Sequence, residues 1–196
     1  MNEATSRLIL GSTSRYRADL LRRLGLDFTM RAPAVDEQEL AGEQAPARAL
    51  RLARAKAEAA AQGEHDVVVI GSDQVAELGG SILHKPGSIE RAHAQLRASS
   101  GHTVAFHTAL CVRDTRTGQT HTHVDHTTVH FRDLQDAEIH RYLALEQPLD
   151  CAGSFKCEGL GITLFTRIET RDPTALIGLP LIALAQMLRD CGVELP

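Results

Sequence analysis

Carboxylate side chains stand at two places where they could take part in chemistry. Asp73 follows closely after the apolar run Val67–Ile70, and Asp36 and Glu37 lie in a polar stretch earlier in the chain. A magnesium ion typically takes one or two carboxylates and fills its other positions with water and substrate phosphate. A carboxylate in such a place can also accept the proton of an attacking water. The alternative interpretation is that Asp73 caps a turn and that Asp36 and Glu37 belong to a solvated acidic loop.

Lysine is scarce among the cationic residues. Lys and Arg total 21, but only Lys56, Lys85 and Lys156 are lysines. A lysine that remains in so arginine-rich a chain is a candidate for a place that needs a compact ammonium against a phosphate, where a planar guanidinium would not fit. Lys56 and Lys85 could each meet the charge that develops on a transferred phosphoryl group. The alternative is that these are surface lysines retained by chance.

The stretch from Gly11 to Arg17 combines small residues, hydroxyls and guanidinium groups. Ser12 and Arg17 belong to it, and Ser14 is placed to cap a following helix. The first N–H groups of a helix and its dipole both favour a bound anion. The stretch lacks the Gly-Lys-Ser/Thr of a P-loop and the glycine spacing of a dinucleotide-binding turn. An ordinary capped turn with exposed arginines is the other interpretation.

The elements that must position these side chains follow a mixed α/β order. Apolar runs predict strands at Leu8–Leu10 and Val67–Ile70, the second ending at Gly71, and an open α/β sheet binds ligands beyond the carboxyl ends of such strands. Helices are predicted after Ser14, from Pro46 to Gly63, after Ser88, around Ile139–Leu143 and after Pro180. A hairpin at Gly79-Gly80, a long strand pair over 102–112 and 119–131, and a late strand over 159–165 complete the prediction.

Charge and cysteine content exclude several classes of protein. A net charge of −4 argues against a protein that coats nucleic acid or an anionic membrane. The four cysteines show no Cys-x-x-Cys spacing, so neither a zinc knuckle nor a disulfide framework is indicated. The first apolar run is too short for a signal peptide or a membrane span. We therefore expect a cytoplasmic protein that binds neither nucleic acid nor membrane.

Taken together and in order, these segments resemble the Maf family of nucleotide pyrophosphatases, and the resemblance covers nearly the whole chain. The matching segments are Leu10–Ser14 with Arg17, Val35–Glu37, Ala55–Ala57, Ile70–Val75, Lys85-Pro86, Ser100–His102, Ala152–Phe155, Glu158-Gly159 and Gly178–Pro180.

The resemblance implies a fold, an activity and a set of site residues. It implies one domain over residues 1–196, with an inosine-triphosphatase-like mixed sheet in two lobes around a central cleft, in an α/β protein that forms a homodimer. The implied activity is hydrolysis of the α–β phosphoanhydride of a nucleoside triphosphate with a divalent cation, Mg²⁺ or Mn²⁺. In this sequence the implied proton acceptor is Asp73, and the implied metal ligands are Glu37 and Asp73. The other residues implied to line the phosphate site are Ser12, Arg17, Lys56 and Lys85.

The family divides by substrate, and Asp73-Gln74 with Glu158 is similar to the branch that acts on 7-methyl-GTP. Methylation at N7 makes guanine cationic, so an aromatic face at Tyr16 and a carboxylate at Glu158 would both suit it. Arg15 stands where the family commonly has Pro. Tyr16 stands where this branch often has Trp, and because a Tyr ring binds cations less strongly than Trp, we expect softer selectivity for the methylated base. The alternatives are a dTTP/UTP pyrophosphatase of the same family and a non-catalytic nucleotide-binding division regulator.

Overall fold

A computed structural model describes residues 7–196, and within them strands and helices alternate along most of the chain. The strands are β1 (Arg7–Gly11), β2 (Thr29–Met30), β3 (Val67–Leu78), β4 (Ser81–Leu83), β5 (Thr103–Asp114), β6 (Thr120–Phe131) and β7 (Phe165–Glu169). The helices are α1 (Arg15–Arg22), α2 (Ala45–Ala61), α3 (Ile89–Ser99), α4 (Asp136–Glu146) and α5 (Leu181–Asp190). Two short 3₁₀ turns occupy Ala152–Ser154 and Leu160–Leu164.

The hydrogen-bonded strand order is β2-β1-β3-β5-β6-β7, with β4 paired to β3. β1 is parallel to both β2 and β3, whereas β3 pairs with β4 and β6 pairs with β7 in antiparallel fashion. The sheet is therefore mixed, and the mixed α/β class predicted from the sequence is confirmed.

Several local predictions are also confirmed because they depend on neighbouring residues. The Ser14 side chain accepts a hydrogen bond from the backbone N–H of Arg17 and caps α1, and the Ser88 side chain does the same for α3 from Arg91. Pro46 lies in the first turn of α2, where its missing N–H leaves no partner unsatisfied.

Two strand boundaries differ from the sequence prediction. β3 does not end at Gly71. Its parallel partner β1 ends there, but β3 continues to Leu78 and pairs with β4 over its last residues. The late strand predicted over 159–165 is wrong: Leu160–Leu164 form a 3₁₀ turn, and the strand begins at Phe165. The Thr163 hydroxyl donates to the Leu160 carbonyl at 2.8 Å, a local side-chain bond that competes with strand pairing.

The chain divides into two compact units, whereas the single domain over 1–196 stays a prediction. The first unit holds the described residues up to Asp73 together with Thr108–Asp125 and Asp172–Pro196, and the second holds Gln74–His107 and His126–Arg171. Within residues 7–196, none of the helices has both the length and the apolar character needed to cross a bilayer.

The core of the first unit follows from alternation along its parallel strands. Leu8 and Leu10 of β1 pack on one side with α1 and α5, while Ile9 packs on the other side with Ala60 of α2. Since side chains alternate between the two faces of a strand, both faces of β1 are covered. This is the arrangement that a continuous apolar strand predicts.

The second unit has an aromatic core of its own. Phe155 makes edge-to-face contacts with Phe106, Phe131 and Phe165, at ring-centroid distances of 5.3, 5.6 and 4.7 Å. This geometry is favoured by the aromatic quadrupole over face-to-face stacking.

Candidate active site

Two glycines let α2 lie very close to the sheet in the first unit. Gly11 of β1 and Gly71 of β3 are partners in the parallel ladder. A Cβ atom at Gly11 would lie 2.9 Å from the Lys56 carbonyl oxygen, and one at Gly71 would lie 2.6 Å from the Ala57 backbone nitrogen and nearer still to the Ala53 carbonyl oxygen. Any side chain at Gly71 would push α2 away. The close approach brings the α2 side chain of Lys56 to β3.

Lys56 lies between two carboxylates. Its Nζ is 2.6 Å from Asp73 Oδ1 and 2.7 Å from Glu37 Oε1. Lys56 and Asp73 are each 7% exposed, whereas the Glu37 side chain is 56% exposed. The buried charges are thus paired, which is the condition under which a protein interior tolerates them. The structure places Asp73 within β3, two residues past the last parallel pair, and not at the end of that strand.

A second group of polar side chains lies where β1 ends. Ser12 is buried, and its hydroxyl accepts from the Ser14 backbone N–H at 3.1 Å and from Arg17 Nη1 at 3.4 Å. Arg17 Nε donates to the Gly178 carbonyl oxygen at 2.9 Å, and the Ser72 hydroxyl donates to the same oxygen at 3.1 Å. The Gly178 carbonyl therefore holds both the Arg17 guanidinium of α1 and the Ser72 hydroxyl of β3.

The electrostatics connect these two groups. Burial lowers the pKa of Arg17, and the charges of Asp73 and Glu37 partly offset that effect. Arg17 and Lys56 thus supply two cations, with Ser12 and the first turn of α1 beside Arg17. Such an arrangement suits a phosphate ester or anhydride, because a cationic pair and the N-terminal end of a helix dipole both stabilise phosphate oxygens.

The carboxylate pair of Glu37 and Asp73 fits a hard divalent cation in the chemistry of its donors. Magnesium accepts one or two carboxylates and keeps water or phosphate at its other positions. Among residues 7–196 no group of three or more His, Cys, Asp or Glu side chains could hold a metal ion. Glu37 and Asp73 are the residues that would hold such a cation.

The first unit thus brings together five of the residues predicted from the sequence: Ser12, Arg17, Glu37, Lys56 and Asp73. Tyr16 is the sixth predicted site residue in the first unit and lies on α1. The guanidinium carbon of Arg15 lies 5.0 Å from the centroid of the Tyr16 ring, and Arg15 Nη2 donates a hydrogen bond to the Tyr16 hydroxyl at 3.0 Å.

The other three predicted residues belong to the second unit. Gln74 follows Asp73 in β3, Lys85 is exposed in the segment between β4 and α3, and Glu158 is exposed beside Cys157, whose thiol donates to Glu158 Oε2 at 3.6 Å. Burial and the neighbouring Glu158 raise the pKa of the Cys157 thiol to about 12.

Lys156 contacts Glu146, the last residue of α4. Its Nζ donates to the Glu146 carbonyl oxygen at 2.9 Å and lies 3.5 Å from Glu146 Oε1. Lys156 therefore holds α4 to the following segment, which is a structural role. Scarcity of lysine alone is not a sufficient sign of a phosphate contact.

Sequence reasoning missed several residues that shape the site. Arg48 and Arg51 of α2 bind the loop that carries Glu37, and Asp172 accepts from the Thr174 and Ile182 N–H groups at 2.8 and 2.7 Å, which holds the loop that presents Gly178. For Arg48 the sequence did offer a signal, since this residue falls in the apolar stripe of α2, and the structure leaves it only 8% exposed. A buried charge on such a stripe needs a partner.

Comparison with known proteins gives closely similar relatives over nearly the whole chain. A family model described as Maf-like protein matches residues 7–191. A 7-methyl-GTP pyrophosphatase of Cupriavidus pinatubonensis is 55% identical over 186 residues, which are 95% of this chain and 94% of that protein. A protein of the same name from Thiobacillus denitrificans is 54% identical over 194 residues, 99% of this chain and 96% of that protein. Among solved structures, the Staphylococcus aureus Ham1 protein matches with a TM-score of 0.46 and 18% identity, over 65% of this chain and 72% of that chain, which is too weak to support an argument.

Proposed function

Since the chain belongs to the Maf-like protein family, we propose that it is a nucleoside triphosphate pyrophosphatase that converts 7-methyl-GTP to 7-methyl-GMP and pyrophosphate. The names of its relatives support this substrate. The observation that carries the proposal for the site is the position of Lys56, which contacts both Glu37 and Asp73 in a place that also holds Arg17 and Ser12.

In the proposed reaction a water oxygen attacks the α-phosphorus, and the bond from that phosphorus to the α–β bridging oxygen breaks. Pyrophosphate leaves with the bonding electron pair, and the nucleoside monophosphate keeps the water oxygen. Asp73 takes the proton of the attacking water as general base, which typically contributes about 10²- to 10⁴-fold in rate. Lys56 orients the Asp73 carboxylate through its 2.6 Å contact.

Arg17 and Ser12 are proposed to bind phosphate oxygens, and Lys85 is proposed to join them. The Gly178 carbonyl restrains the Arg17 side chain through Nε, so the guanidinium is oriented before substrate arrives. Orientation in advance lowers the entropy that must be lost when the phosphate binds.

Glu37 and Asp73 are proposed to hold a divalent cation, Mg²⁺ or Mn²⁺. When bound, the cation would neutralise charge on the phosphate oxygens. Lys56 contacts both carboxylates, and its single positive charge offsets one of their two negative charges.

Tyr16, Gln74 and Glu158 are proposed to set the preference for the base. A cationic base would be attracted to the Tyr16 ring, and the Glu158 carboxylate would accept from guanine N–H groups. We further propose a homodimer in the cytoplasm. None of the four cysteines, which all lie in the described part of the chain, forms a disulfide, and this supports the proposed reducing compartment.

The test is release of pyrophosphate from 7-methyl-GTP, GTP, UTP and dTTP, each with Mg²⁺ and with a chelator. Release that depends on the metal and is fastest for 7-methyl-GTP is the expected result. Release led by UTP or dTTP would retain the reaction and contradict the roles of Gln74 and Glu158. Binding of all four nucleotides with no release would contradict the enzyme and favour a nucleotide-binding regulator.

A further inference from the structure

The loop that carries Glu37 runs through residues 32–44, between β2 and α2, and is called the acidic loop below. It contains neither helix nor strand. Glu37 itself is exposed, so packing alone does not confine its carboxylate. An exposed glutamate usually samples several rotamers, and restricting it costs conformational entropy.

Two arginines of α2 hold the main chain of the acidic loop at successive residues. Arg48 Nη2 donates to the Glu37 carbonyl oxygen at 2.9 Å, and Arg51 Nη2 donates to the Gln38 carbonyl oxygen at 3.0 Å. The two bonds fix the backbone at the residue whose side chain reaches Lys56. Because Lys56 is also on α2, the loop and its target are attached to one rigid element.

Each arginine also binds a carboxylate of the acidic loop. Arg48 Nη1 forms an ion pair with Glu39 Oε1 at 3.0 Å, without the geometry of a hydrogen bond, and Arg51 binds Glu43 through two hydrogen bonds of 2.6 and 2.7 Å. A guanidinium can bind a carbonyl and a carboxylate at the same time, because its N–H groups point in fixed and different directions. The ammonium group of a lysine lacks this forked arrangement of N–H groups in fixed directions.

We propose that Arg48 and Arg51 are positioning residues, which act on the reaction by holding the Glu37 carboxylate against Lys56. Neither residue is assigned a contact with substrate. The inference rests on the proposed function, because it matters to turnover only if Glu37 does.

The test is a double-mutant cycle with Arg48→Lys and Glu37→Gln. Arg48→Lys keeps the charge and removes the fork. We expect kcat for 7-methyl-GTP to fall by about 10- to 100-fold, which is the scale of an ångström-sized misplacement, with a KM change below about threefold. In the Glu37→Gln background the same substitution should change kcat by less than about twofold, because the carboxylate that it positions is already absent.

Arg54→Lys is the matched control, since Arg54 is an exposed arginine on the same helix. It should leave kcat unchanged. Hydrogen exchange adds a readout that does not depend on activity: the amides of residues 36–39 should exchange faster in Arg48→Lys, while those of α2 should not. If Arg48→Lys does not fold, Arg51→Lys is measured in the same cycle.

The outcomes separate this inference from the proposed function. If the effects of Arg48→Lys and Glu37→Gln multiply, or if Arg48→Lys leaves kcat and loop exchange unchanged, the positioning role is wrong while the activity stands. If Glu37→Gln retains full turnover, the proposed role of Glu37 fails and the positioning role fails with it.

Discussion

Replacing Gly71 by alanine should separate the catalytic groups without touching any of them. The added Cβ would lie 2.6 Å from the Ala57 backbone nitrogen, and side-chain Cβ atoms essentially never come closer than 3.0 Å to a neighbour. α2 must therefore retreat by at least about 0.4 Å, and by more because the Ala53 carbonyl oxygen is nearer still. A retreat of this size lengthens the Lys56–Asp73 contact from 2.6 Å to beyond about 3 Å.

Gly71→Ala is expected to lower both the free energy of unfolding and kcat. Overpacking of a tight interface typically costs about 1–3 kcal/mol of unfolding free energy. Misplacement of a reacting group by about an ångström can cost on the order of 10²-fold in rate, so we expect kcat to fall by about 10- to 100-fold. Urea unfolding measures the first quantity and pyrophosphate release at saturating nucleotide measures the second.

Gly11→Ala is the graded control for this experiment. Its Cβ would lie 2.9 Å from both the Lys56 carbonyl oxygen and the Ala60 Cβ, so a movement of about 0.1 Å relieves the contact. The losses of unfolding free energy and of kcat should therefore both be much smaller than in Gly71→Ala. If Gly71→Ala keeps wild-type stability and turnover, or if Gly11→Ala is the more damaging change, then close packing of α2 does not set the site geometry.

Three further predictions concern stability and selectivity. Asp114 accepts two hydrogen bonds of 2.9 Å from the Arg116 side chain, and these bonds hold the pKa of Asp114 below its ordinary value of about 3.9. The pair therefore stabilises the fold above about pH 3.9, and its contribution is lost as the pH falls through the lowered pKa of the folded state. Asp114→Asn should then cost about 1.5–3 kcal/mol in unfolding free energy at pH 7, with the difference shrinking below about pH 4, and a cost independent of pH would contradict this. Arg15→Ala removes a cation from the Tyr16 ring, so the ratio of kcat/KM for 7-methyl-GTP over GTP should rise by about 2- to 5-fold, and an unchanged ratio would argue against Tyr16 as a base contact. Glu158→Gln should reduce kcat/KM for 7-methyl-GTP more than for UTP, whereas equal losses would remove Glu158 from base selection.

The parts of the fold that depend on neighbouring residues could be predicted from the sequence. The caps at Ser14 and Ser88 and the glycine pair that turns the β3–β4 hairpin follow from interactions over a few residues. The late strand could not be predicted in the same way. Its segment has strand-like composition, but Gly161 packs against the Lys156 backbone and the Thr163 hydroxyl bonds locally, so pairing begins only at Phe165.

The candidate site could be predicted in its residue types but not in its supports. Asp73, Lys56 and Glu37 carry charges whose chemistry is evident from the sequence. The contact from Arg17 to Gly178 spans 161 residues, and no local pattern predicts which carbonyl a guanidinium will meet. Arg48 is intermediate, since its place in an apolar stripe signals a buried charge but not its partner.

The central claim is that Asp73 accepts the proton of the attacking water, and Asp73→Asn tests it most directly. The amide is nearly the same size, but it leaves the buried Lys56 ammonium with Glu37 as its remaining carboxylate, so the urea midpoint should fall while the protein stays folded and binds nucleotide. The account predicts that turnover of 7-methyl-GTP with saturating Mg²⁺ falls by about 10²- to 10⁴-fold while the nucleotide still binds. Near-full turnover in this variant would show that the proton goes to another group and would contradict the account.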